Sequence, residues 1–383
     1  MLTRRVVVLG IAAAATTPRI ARAQNVVRVG MVMPLTGTLA DAGKQVVAGA
    51  RLYMDRHSDS AAGTRIELLV RDDTSSFDIG KRLIQEAIVN DKVNIIAGGT
   101  TGDLVAGAPI ITEAKVPTVI MLSSTSGAID KSPYFVRTSC TLAQSSVIIA
   151  DWAMKNGIKK VVTLTSDFAP GHEAEATFKA RYTAAGGELA EAIRAPLQSP
   201  DFAPFLQRVR DANPQAVFVF IPSVQAGTFV RQYIERGLDK AGIRLIGPGE
   251  ITDDELLPSM GDVTLGTITA HFYSAAHPSS MNASFVDAYR KQTGKRANFM
   301  AVSGYDGMHL IYEALKKTGG DVLAPAMKGM AWESPRGPMS TDPGTGEVIH
   351  DIYMRKVEKV NGELQNIEFA TFDAVKDTRT AAQ

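Results

Sequence analysis

Short apolar segments alternate with amphipathic helical segments along most of the chain, and this alternation limits the possible folds more than any other feature. The first four apolar segments are Val27–Met33, Ile66–Val70, Val93–Ala97 and Pro117–Met121. Between the second and third, from Ile79 to Ile88, apolar residues recur at the spacing of one helix face. Strands that alternate with helices predict an α/β fold, in which parallel sheets are flanked by helices.

The alternation begins again after the fourth strand, which predicts a second α/β unit. Val161–Thr165 and Ala216–Ile221 are the clearest strands of this second block. Near the end of the chain, Val348–Val360 and Leu364–Phe372 flank Asn361-Gly362, a sequence typical of a tight hairpin turn. Two similar blocks predict two lobes with a cleft between them. Ligands of open α/β sheets bind beyond the carboxyl ends of the strands, so the loops at those ends are the candidate contacts.

The first 23 residues have the pattern of an export signal. Arg4 and Arg5 form a positively charged start, Val6–Ala15 is a short apolar segment, and Ala21-Arg22-Ala23 before Gln24 is a small-x-small cleavage site. The apolar segment is too short to cross a bilayer as a helix. We therefore predict a signal peptide over residues 1–23 and a periplasmic mature protein. The arginine pair leaves a twin-arginine route open beside the general one.

Charge and cysteine content exclude several classes of protein. The formal net charge is +1, from 41 basic and 40 acidic residues, which provides no basic field for nucleic acid. After Gln24 no long apolar stretch follows, so we predict no membrane insertion of the mature chain. Cys140 is the only cysteine, which excludes an internal disulfide. The six histidines show no metal-binding spacing, and we predict neither a metal nor a cofactor.

Two polar loops follow the last strands of the first block, at residues 98–103 and 122–127. Backbone N–H groups at a helix start, together with hydroxyls, can hold a carboxylate. The first loop could equally be an N-cap that only stabilises the following helix, and this alternative stays open. The candidate ligand-binding residues of these loops are Thr100, Thr101, Gly102, Ser123, Ser124 and Thr125.

The loops of the second block combine a ring, a hydroxyl and a carboxylate. Phe168 and Pro170 follow one strand, Ser223 follows the next, and Glu250 follows a third. The acidic residues 253–255 come directly after Glu250, and we interpret them as negative charge at a helix N-terminus.

Short motifs in a fixed order carry a resemblance over essentially the whole mature chain. They are Val29-Gly30, Pro34-Leu35-Thr36-Gly37, Gly43, Gly49-Ala50, Asp72-Asp73, the Gly98–Gly102 loop, Val116-Pro117, Ser123-Ser124-Thr125, Phe135 with Arg137-Thr138, Asp201-Phe202 and Gly304-Tyr305-Asp306. This ordered set resembles the Leu/Ile/Val-binding proteins, which are type I periplasmic solute-binding proteins of ABC importers.

The resemblance implies two Rossmann-like lobes joined by three crossover segments, with a ligand cleft that closes by a hinge. Lobe 1 would comprise residues 26–141 and 272–346, and lobe 2 residues 142–271 and 347–375. The crossovers would lie near Ser139–Leu142, Thr269–Tyr273 and Gly344–Val348. The resemblance also implies a ligand carboxylate held by Thr101, Ser123 and Thr125, with Thr100 and Gly102 adjacent. In the amino-acid binders an acid of the second lobe meets the ammonium, and its counterpart here is Glu250.

Two positions depart from the family pattern. Pro170 and Ser223 lie in loops where the family frequently has tyrosines. We expect a protein that binds a branched-chain or related amino acid and delivers it to the permease subunits of an ABC transporter. The departures, with Phe168 nearby, favour as an alternative an aromatic acid of the hydroxybenzoate or phenylpropanoid type. A ligand sensor of the same fold is a further alternative, and an exported hydrolase using Ser123 or Ser124 is the least favoured, since no base is evident by motif.

Overall fold

A computed structural model describes residues 25–198, 201–321 and 323–378. They form two α/β units, each a sheet with its flanking helices, which are called the first and second layers below. The predicted signal peptide lies outside the described residues. The first sheet has the strand order β2-β3-β1-β4-β5-β6, in which only the β2–β3 pair is antiparallel. Its strands are β1 (Val26–Met33), β2 (Ser60–Ala61), β3 (Thr64–Asp72), β4 (Ile95–Gly98), β5 (Thr118–Ile120) and β6 (Phe135–Arg137).

The second sheet is mixed, because the predicted antiparallel hairpin at the end of the chain joins its parallel strands. Its strands are β7 (Lys160–Ser166), β8 (Glu188–Ala195), β9 (Ala216–Phe220), β10 (Arg244–Pro248), β11 (Ile268–His271), β12 (Ala331–Ser334), β13 (Gly337–Thr341), β14 (Val348–Val360) and β15 (Glu363–Val375). Strands β8, β7, β9, β10 and β11 are parallel, whereas β14 joins β11 antiparallel and also pairs with β13 and β15. The predicted Asn361-Gly362 turn connects β14 to β15, so the closing hairpin is confirmed.

The helices connect successive strands and cover the sheets. They are α1 (Ala40–His57), α2 (Phe77–Val89), α3 (Thr101–Ala114), α4 (Leu142–Lys155), α5 (Ala169–Ala184), α6 (Ala203–Ala212), α7 (Ser223–Glu235), α8 (Leu257–Met260), α9 (Ser280–Thr293), α10 (Phe299–Thr318) and α11 (Ala324–Met327). Single 3₁₀ turns occur at Ser126–Lys131, Gly249–Thr252 and Asp262–Thr264.

Two glycines allow the returning chain to pack against the first layer. A Cβ on Gly49 of α1 would lie 1.8 Å from the carbonyl oxygen of Ala301 in α10. A Cβ on Gly304 would lie 2.1 Å from the carbonyl oxygen of Val46. Because only a residue without a side chain fits at either position, α1 and α10 approach backbone to backbone. The segment that carries α9 and α10 therefore packs against α1 of the first layer.

The division into lobes remains a proposal, and the strand pairing requires one adjustment to it. Thr341 of β13 pairs with Val348 of β14, so residues 331–341 belong to the second sheet, although the predicted lobe 1 includes them. The turn after β13 still contacts the first sheet, since the Arg137 N–H donates to the Gly346 carbonyl at 3.0 Å. The third crossover, from the first layer to the second, thus begins before β12, upstream of the predicted Gly344–Val348.

Candidate ligand-binding cleft

A cleft of about 680 Å³ lies beyond the carboxyl ends of the strands of both sheets. The first wall comes from the loops after β4 and β5, and the second wall from the loops after β7, β9 and β10. Nine of the ten predicted site residues line this cleft: Thr100, Thr101, Gly102, Ser123, Ser124, Phe168, Pro170, Ser223 and Glu250. Thr125, the tenth, lies behind the first wall, where it hydrogen-bonds a lining residue. The loops that the sequence placed far apart therefore share one cavity.

Three hydroxyls of the first wall form a cluster. The Oγ1 of Thr101 lies 2.7 Å from the Oγ of Ser123 and donates to the Oγ1 of Thr125 at 3.1 Å. Thr101 is the first residue of α3, a position at which backbone N–H groups have no partner within the helix. Hydroxyls that can rotate and N–H groups at a helix start form a site suited to a carboxylate. This cluster contains the three residues that the resemblance assigns to that role.

Thr100 has a structural role at this helix start. Its Oγ1 accepts from the Asp103 N–H at 3.3 Å, and its backbone N–H donates to Asp103 Oδ2 at 3.0 Å, which completes a capping box. The Oγ1 also donates to Asp103 Oδ2 at 2.7 Å. The alternative of an N-cap is therefore observed for Thr100 itself. The side chain of Thr100 is engaged with Asp103, so this residue orders the loop in which Thr101 and Gly102 line the cleft.

Arg137 supports the first wall from beneath. The guanidinium is fully buried, and it donates to the carbonyls of Ser123 and, at 2.9 Å, Thr125. Its Nε donates to Glu347 at 2.6 Å. These contacts hold the loop of Ser123 and Thr125 by its backbone carbonyls. They also place a positive charge, which Glu347 balances, below the hydroxyl cluster. A fixed buried donor of this kind is pre-organised for its partners, because the guanidinium is planar and rigid.

The second wall is aromatic and carries one hydroxyl. The rings of Phe168 and Phe220 are nearly parallel, with centroids 6.0 Å apart. Pro170 lies in the first turn of α5, where its missing N–H would have had no partner in any case. Ser223 is the first residue of α7 and adds a hydroxyl to this wall. A flat, apolar ligand would contact the two rings, and the proline would limit movement of the loop.

Glu250 lies on the same wall, in the 3₁₀ turn that follows β10. Only 6% of the residue is exposed, and its Oε2 has no hydrogen-bond partner among the described residues. Burial raises the pKa of the carboxyl group to about 7, against a smaller lowering by its own backbone N–H and by Arg355. A buried carboxyl with an unused oxygen requires a partner, and a ligand can supply it.

The acidic residues after Glu250 do not act as negative charge at a helix N-terminus, which corrects that interpretation. The next helix, α8, begins only at Leu257, and each acid has its own partner. Asp253 accepts from Asn298 Nδ2 at 2.9 Å, and Asp254 accepts from Asn366 Nδ2 at 2.9 Å. Glu255 accepts from Gln45 Nε2 at 2.7 Å and from Lys295 Nζ at 2.6 Å.

These four contacts span sequence separations that no local pattern reveals, and three of them join the two layers. Gln45, Asn298 and Lys295 all belong to segments that pack on the first sheet or its helices, whereas Asp253 and Glu255 follow β10 of the second sheet. The acidic segment therefore joins the two layers beside the cleft.

Several lining residues were missed by the sequence reasoning. Phe77, Cys140, Phe272 and Phe299 all contribute to the cleft. Phe77 is 50% exposed, and a Cβ on Gly102 would lie 2.3 Å from its ring, so the glycine makes room for the phenyl group. Phe272 directly follows β11 (Ile268–His271), a strand-end position that could have suggested it. Phe299 begins a helix far along the chain, and nothing local marks it as a lining residue.

Ser123 and Ser124 lack the surroundings that a serine nucleophile needs. The hydroxyl of Ser123 is hydrogen-bonded to Thr101, and no histidine of the described residues hydrogen-bonds to either serine. Within residues 25–198, 201–321 and 323–378, no cluster of three His, Cys, Asp or Glu side chains is arranged to hold a metal ion. No helix of the described chain combines the length and the apolar character needed to span a membrane.

Asp72 and Asp73 are structural, as expected for loop aspartates. Asp72 Oδ1 accepts from the N–H groups of Leu35 and Thr74 at 2.9 and 2.8 Å, which ties the loop after β1 to the loop after β3. Asp73 accepts from the Ser75 N–H at 2.7 Å. These hydrogen bonds hold the loop that leads into α1, one of the helices at the cleft.

Comparison with known proteins places the whole architecture in one family. A model of the family "Periplasmic binding protein" matches residues 26–363. The Leu/Ile/Val-binding protein homolog 6 of Brucella suis is 41% identical, over 94% of this chain and 95% of its own.

Solved structures carry the comparison to the site. A solute-binding protein of an ABC transporter from Rhodopseudomonas palustris BisB5, in complex with 3,4-dihydroxybenzoic acid, is 59% identical over 93% of this chain and 99% of its own, with a TM-score of 0.90. A second R. palustris solute-binding protein, in complex with 4-hydroxybenzoate, is 36% identical over 94% of this chain and 100% of its own, with a TM-score of 0.89.

Proposed function

The chain belongs to the periplasmic binding protein family as a solute-binding protein of an ABC transporter, and we propose that its ligand is an aromatic carboxylate of the hydroxybenzoate type. Solute-binding proteins of this family bind and deliver a ligand without transforming it, so the hydrolase alternative is set aside. The ligand class is the aromatic alternative of the sequence analysis, chosen here over the branched-chain amino acids.

One observation carries this choice: the cleft has a hydroxyl cluster on one wall and aromatic rings on the other. Thr101, at the start of α3, and Ser123, in the loop that Arg137 holds by its carbonyls, provide the polar end. Phe168 and Phe220 provide a flat apolar surface opposite. A benzoate-type ligand has the same division, a carboxylate at one end of a ring. The ligands found in the two R. palustris relatives have this chemistry as well.

The amino-acid alternative rests on Glu250 as a partner for an ammonium group. An ammonium group favours a fully ionised partner, whereas burial raises the pKa of Glu250 to about 7, so part of the population is protonated near neutral pH. Fully buried Arg355 lies near enough to influence the same carboxyl group. Arg355, which also pairs with Asp254 at 3.6 Å, already supplies a positive charge beside Glu250, so an ammonium group is not required to balance it.

Binding would proceed by hinge closure between the two lobes. A ligand that contacts both walls stabilises the closed form over the open form by its differential affinity for the two. The closed form would then dock on the permease subunits. Export by the predicted signal peptide of residues 1–23, and a periplasmic location, belong to the same proposal.

Isothermal titration of the mature chain with 4-hydroxybenzoate, 3,4-dihydroxybenzoate, leucine and isoleucine tests the ligand class. We expect binding of the aromatic acids and none of the amino acids. A ligand at a hundred times its Kd stabilises the fold by about 2.7 kcal/mol, so thermal unfolding gives an independent readout. Binding of leucine without binding of either benzoate derivative would overturn the proposal.

A variant pair connects the ligand to the hydroxyl cluster. Thr101→Val removes the hydroxyl at constant shape, and a hydrogen bond to a charged group contributes about 1.5–3 kcal/mol, so affinity should fall about ten- to a hundredfold. Thr183→Val is the matched control, since Thr183 lies exposed on α5. Equal affinity in the two variants would contradict the role of the cluster.

A further inference from the structure

The carboxyl group of Glu250 is the one acidic side chain of the second wall that lacks a full set of protein partners. It lines the cleft and is nine-tenths buried, and its Oε2 has no hydrogen-bond partner in the part of the chain that the structure describes. Glu255, the other acid of that wall, is already bonded to Gln45 and Lys295. A buried polar atom without a partner is costly, and natural proteins rarely keep one without a use.

We propose that Glu250 selects, among aromatic carboxylates, those that carry a ring hydroxyl, by accepting the hydrogen bond that this hydroxyl donates. The inference rests on the proposed function and goes further, because it assigns the discrimination between benzoate and hydroxybenzoates to one residue.

The position of Glu250 fits this role because it lies across the cleft from the hydroxyl cluster. Thr101 and Ser123 follow strands β4 and β5 of the first sheet, whereas Glu250 follows β10 of the second. A ligand held by its carboxylate on the first wall directs the far side of its ring towards the second. A hydroxyl on that far side is the group that reaches Glu250.

The turn that carries Glu250 is held in place from beneath. Arg355 donates to the Gly249 carbonyl at 3.3 Å and to Thr252 Oγ1 at 3.4 Å, on either side of Glu250. A Cβ on Gly249 would lie 2.2 Å from Arg355 Nη2 and 2.5 Å from the His271 ring, so the backbone rests directly on these side chains. A carboxyl group on a fixed turn is pre-organised, and a pre-organised group discriminates better between ligands than a mobile one.

A neutral hydroxyl is the partner that suits the electrostatics of this place. Arg355 and Asp253 both act on the carboxyl group of Glu250, and Glu250 and Asp253 both act on the guanidinium of Arg355. Burial raises the pKa of Glu250 to about 7, so both protonation states exist near neutral pH. A carboxyl oxygen accepts a hydrogen bond from a hydroxyl in either state.

A ligand series on the wild-type protein tests whether a hydroxyl donor is required. Benzoate, 4-methylbenzoate, 4-hydroxybenzoate and 3,4-dihydroxybenzoate would be titrated by calorimetry. The methyl group has nearly the size of the hydroxyl but donates no hydrogen bond. We expect at least one hydroxybenzoate to bind at least tenfold more tightly than both ligands without the donor. Equal binding of all four would overturn the inference and leave the proposed function intact, whereas binding of none would refute the proposed function.

Variants then test whether Glu250 is the acceptor. Glu250→Leu should remove the preference, so that the hydroxybenzoate binds no more tightly than 4-methylbenzoate. Glu250→Gln, which keeps the shape and a weaker acceptor, should reduce the preference by several-fold, and it serves if the leucine variant does not fold. Glu235→Gln, at an exposed site at the end of α7 and outside the cleft, is the matched control and should keep the preference. A preference kept in both Glu250 variants, or an equal loss of all ligands in Glu250→Gln, would contradict the assignment.

Discussion

The backbone N–H of Ser126 donates to both carboxylate oxygens of Glu173, at 3.0 Å each. Ser126 begins the 3₁₀ turn after β5 of the first sheet, and Glu173 lies in the first half of α5, after β7 of the second. The two elements that this contact joins also carry cleft residues, Ser123 and Ser124 on one side and Phe168 and Pro170 on the other. The contact is therefore a direct connection between the walls of the ligand site.

Glu173→Ala should weaken ligand binding without altering the lining of the cleft. Loss of a contact between the walls lowers the population of the closed form, and apparent affinity falls with that population. We expect calorimetry to show a several-fold decrease in the affinity for 4-hydroxybenzoate. Stopped-flow experiments should show that most of this decrease comes from faster ligand release. Glu235→Gln, at an exposed site on α7, is the control. Unchanged affinity in Glu173→Ala would show that the contact does not bias closure.

Arg137→Met should strongly destabilise the protein, because it leaves Glu347 buried without its partner. Removal of one member of a buried ion pair costs about 3–5 kcal/mol. The carbonyls of Ser123 and Thr125 would lose their donor as well. Urea unfolding measures the effect, and Arg28→Lys is the control, since Arg28 is about half exposed and pairs with Glu67 at the surface. A loss below about 1 kcal/mol would indicate that the buried network contributes little.

The contribution of Asp73 to the stability of the fold should decrease as the pH rises from about 4 to above 7. Burial, and the nearby carboxyl group of Asp103, raise the pKa of Asp73 to about 7 in the folded protein. The unfolded chain releases this proton near the ordinary value for aspartate, so the contribution of the group to stability is complete below that value. It is then lost as the pH rises through the folded pKa.

Asp73→Asn isolates the share of this one group. The amide does not titrate, so the unfolding free energy should fall less, or rise more, between pH 5 and pH 8 than it does in the wild-type protein. A pH dependence should remain, because burial also raises the pKa values of Glu250 and Asp253 to about 7. Thermal unfolding at a series of pH values measures both slopes. Identical slopes for the two proteins would mean that Asp73 ionises normally in the fold.

Phe168→Ala should reduce the affinity for aromatic ligands more than it reduces stability. The ring is only partly buried against the core and stacks on Phe220 at the cleft, so its removal mainly takes apolar surface from the ligand. We expect the affinity for 4-hydroxybenzoate to fall about tenfold, because the loss of one or two ring contacts removes the binding free energy that corresponds to this factor. Phe369→Ala, at an exposed position on β15, is the control. A variant that binds as tightly as the control would remove Phe168 from the site.

The strand-end loops were identified from sequence because their signal is local. A run such as Ser123-Ser124-Thr125 directly after a buried strand has few structural explanations, and the rule that ligands bind beyond strand ends turns that position into a candidate site. The same local signal could not separate Thr100, whose hydroxyl caps α3, from Thr101, whose hydroxyl joins the cluster. That distinction depends on the direction of each side chain, which only the packed structure defines.

What the sequence determined by itself is everything that depends on neighbours along the chain: the alternation of strands and helices, the Asn361-Gly362 turn, and the loops at strand ends. Periodicity and turn chemistry act over a few residues, so they can be recognised in a single sequence. Only the tertiary structure decided the relations between distant residues. It paired Arg137 with Glu347, 210 positions apart, added β12 and β13 to the second sheet, and buried Glu250 with an unused oxygen. These features depend on burial and on long-range partners, because the energy of a polar group is set by what surrounds it in space.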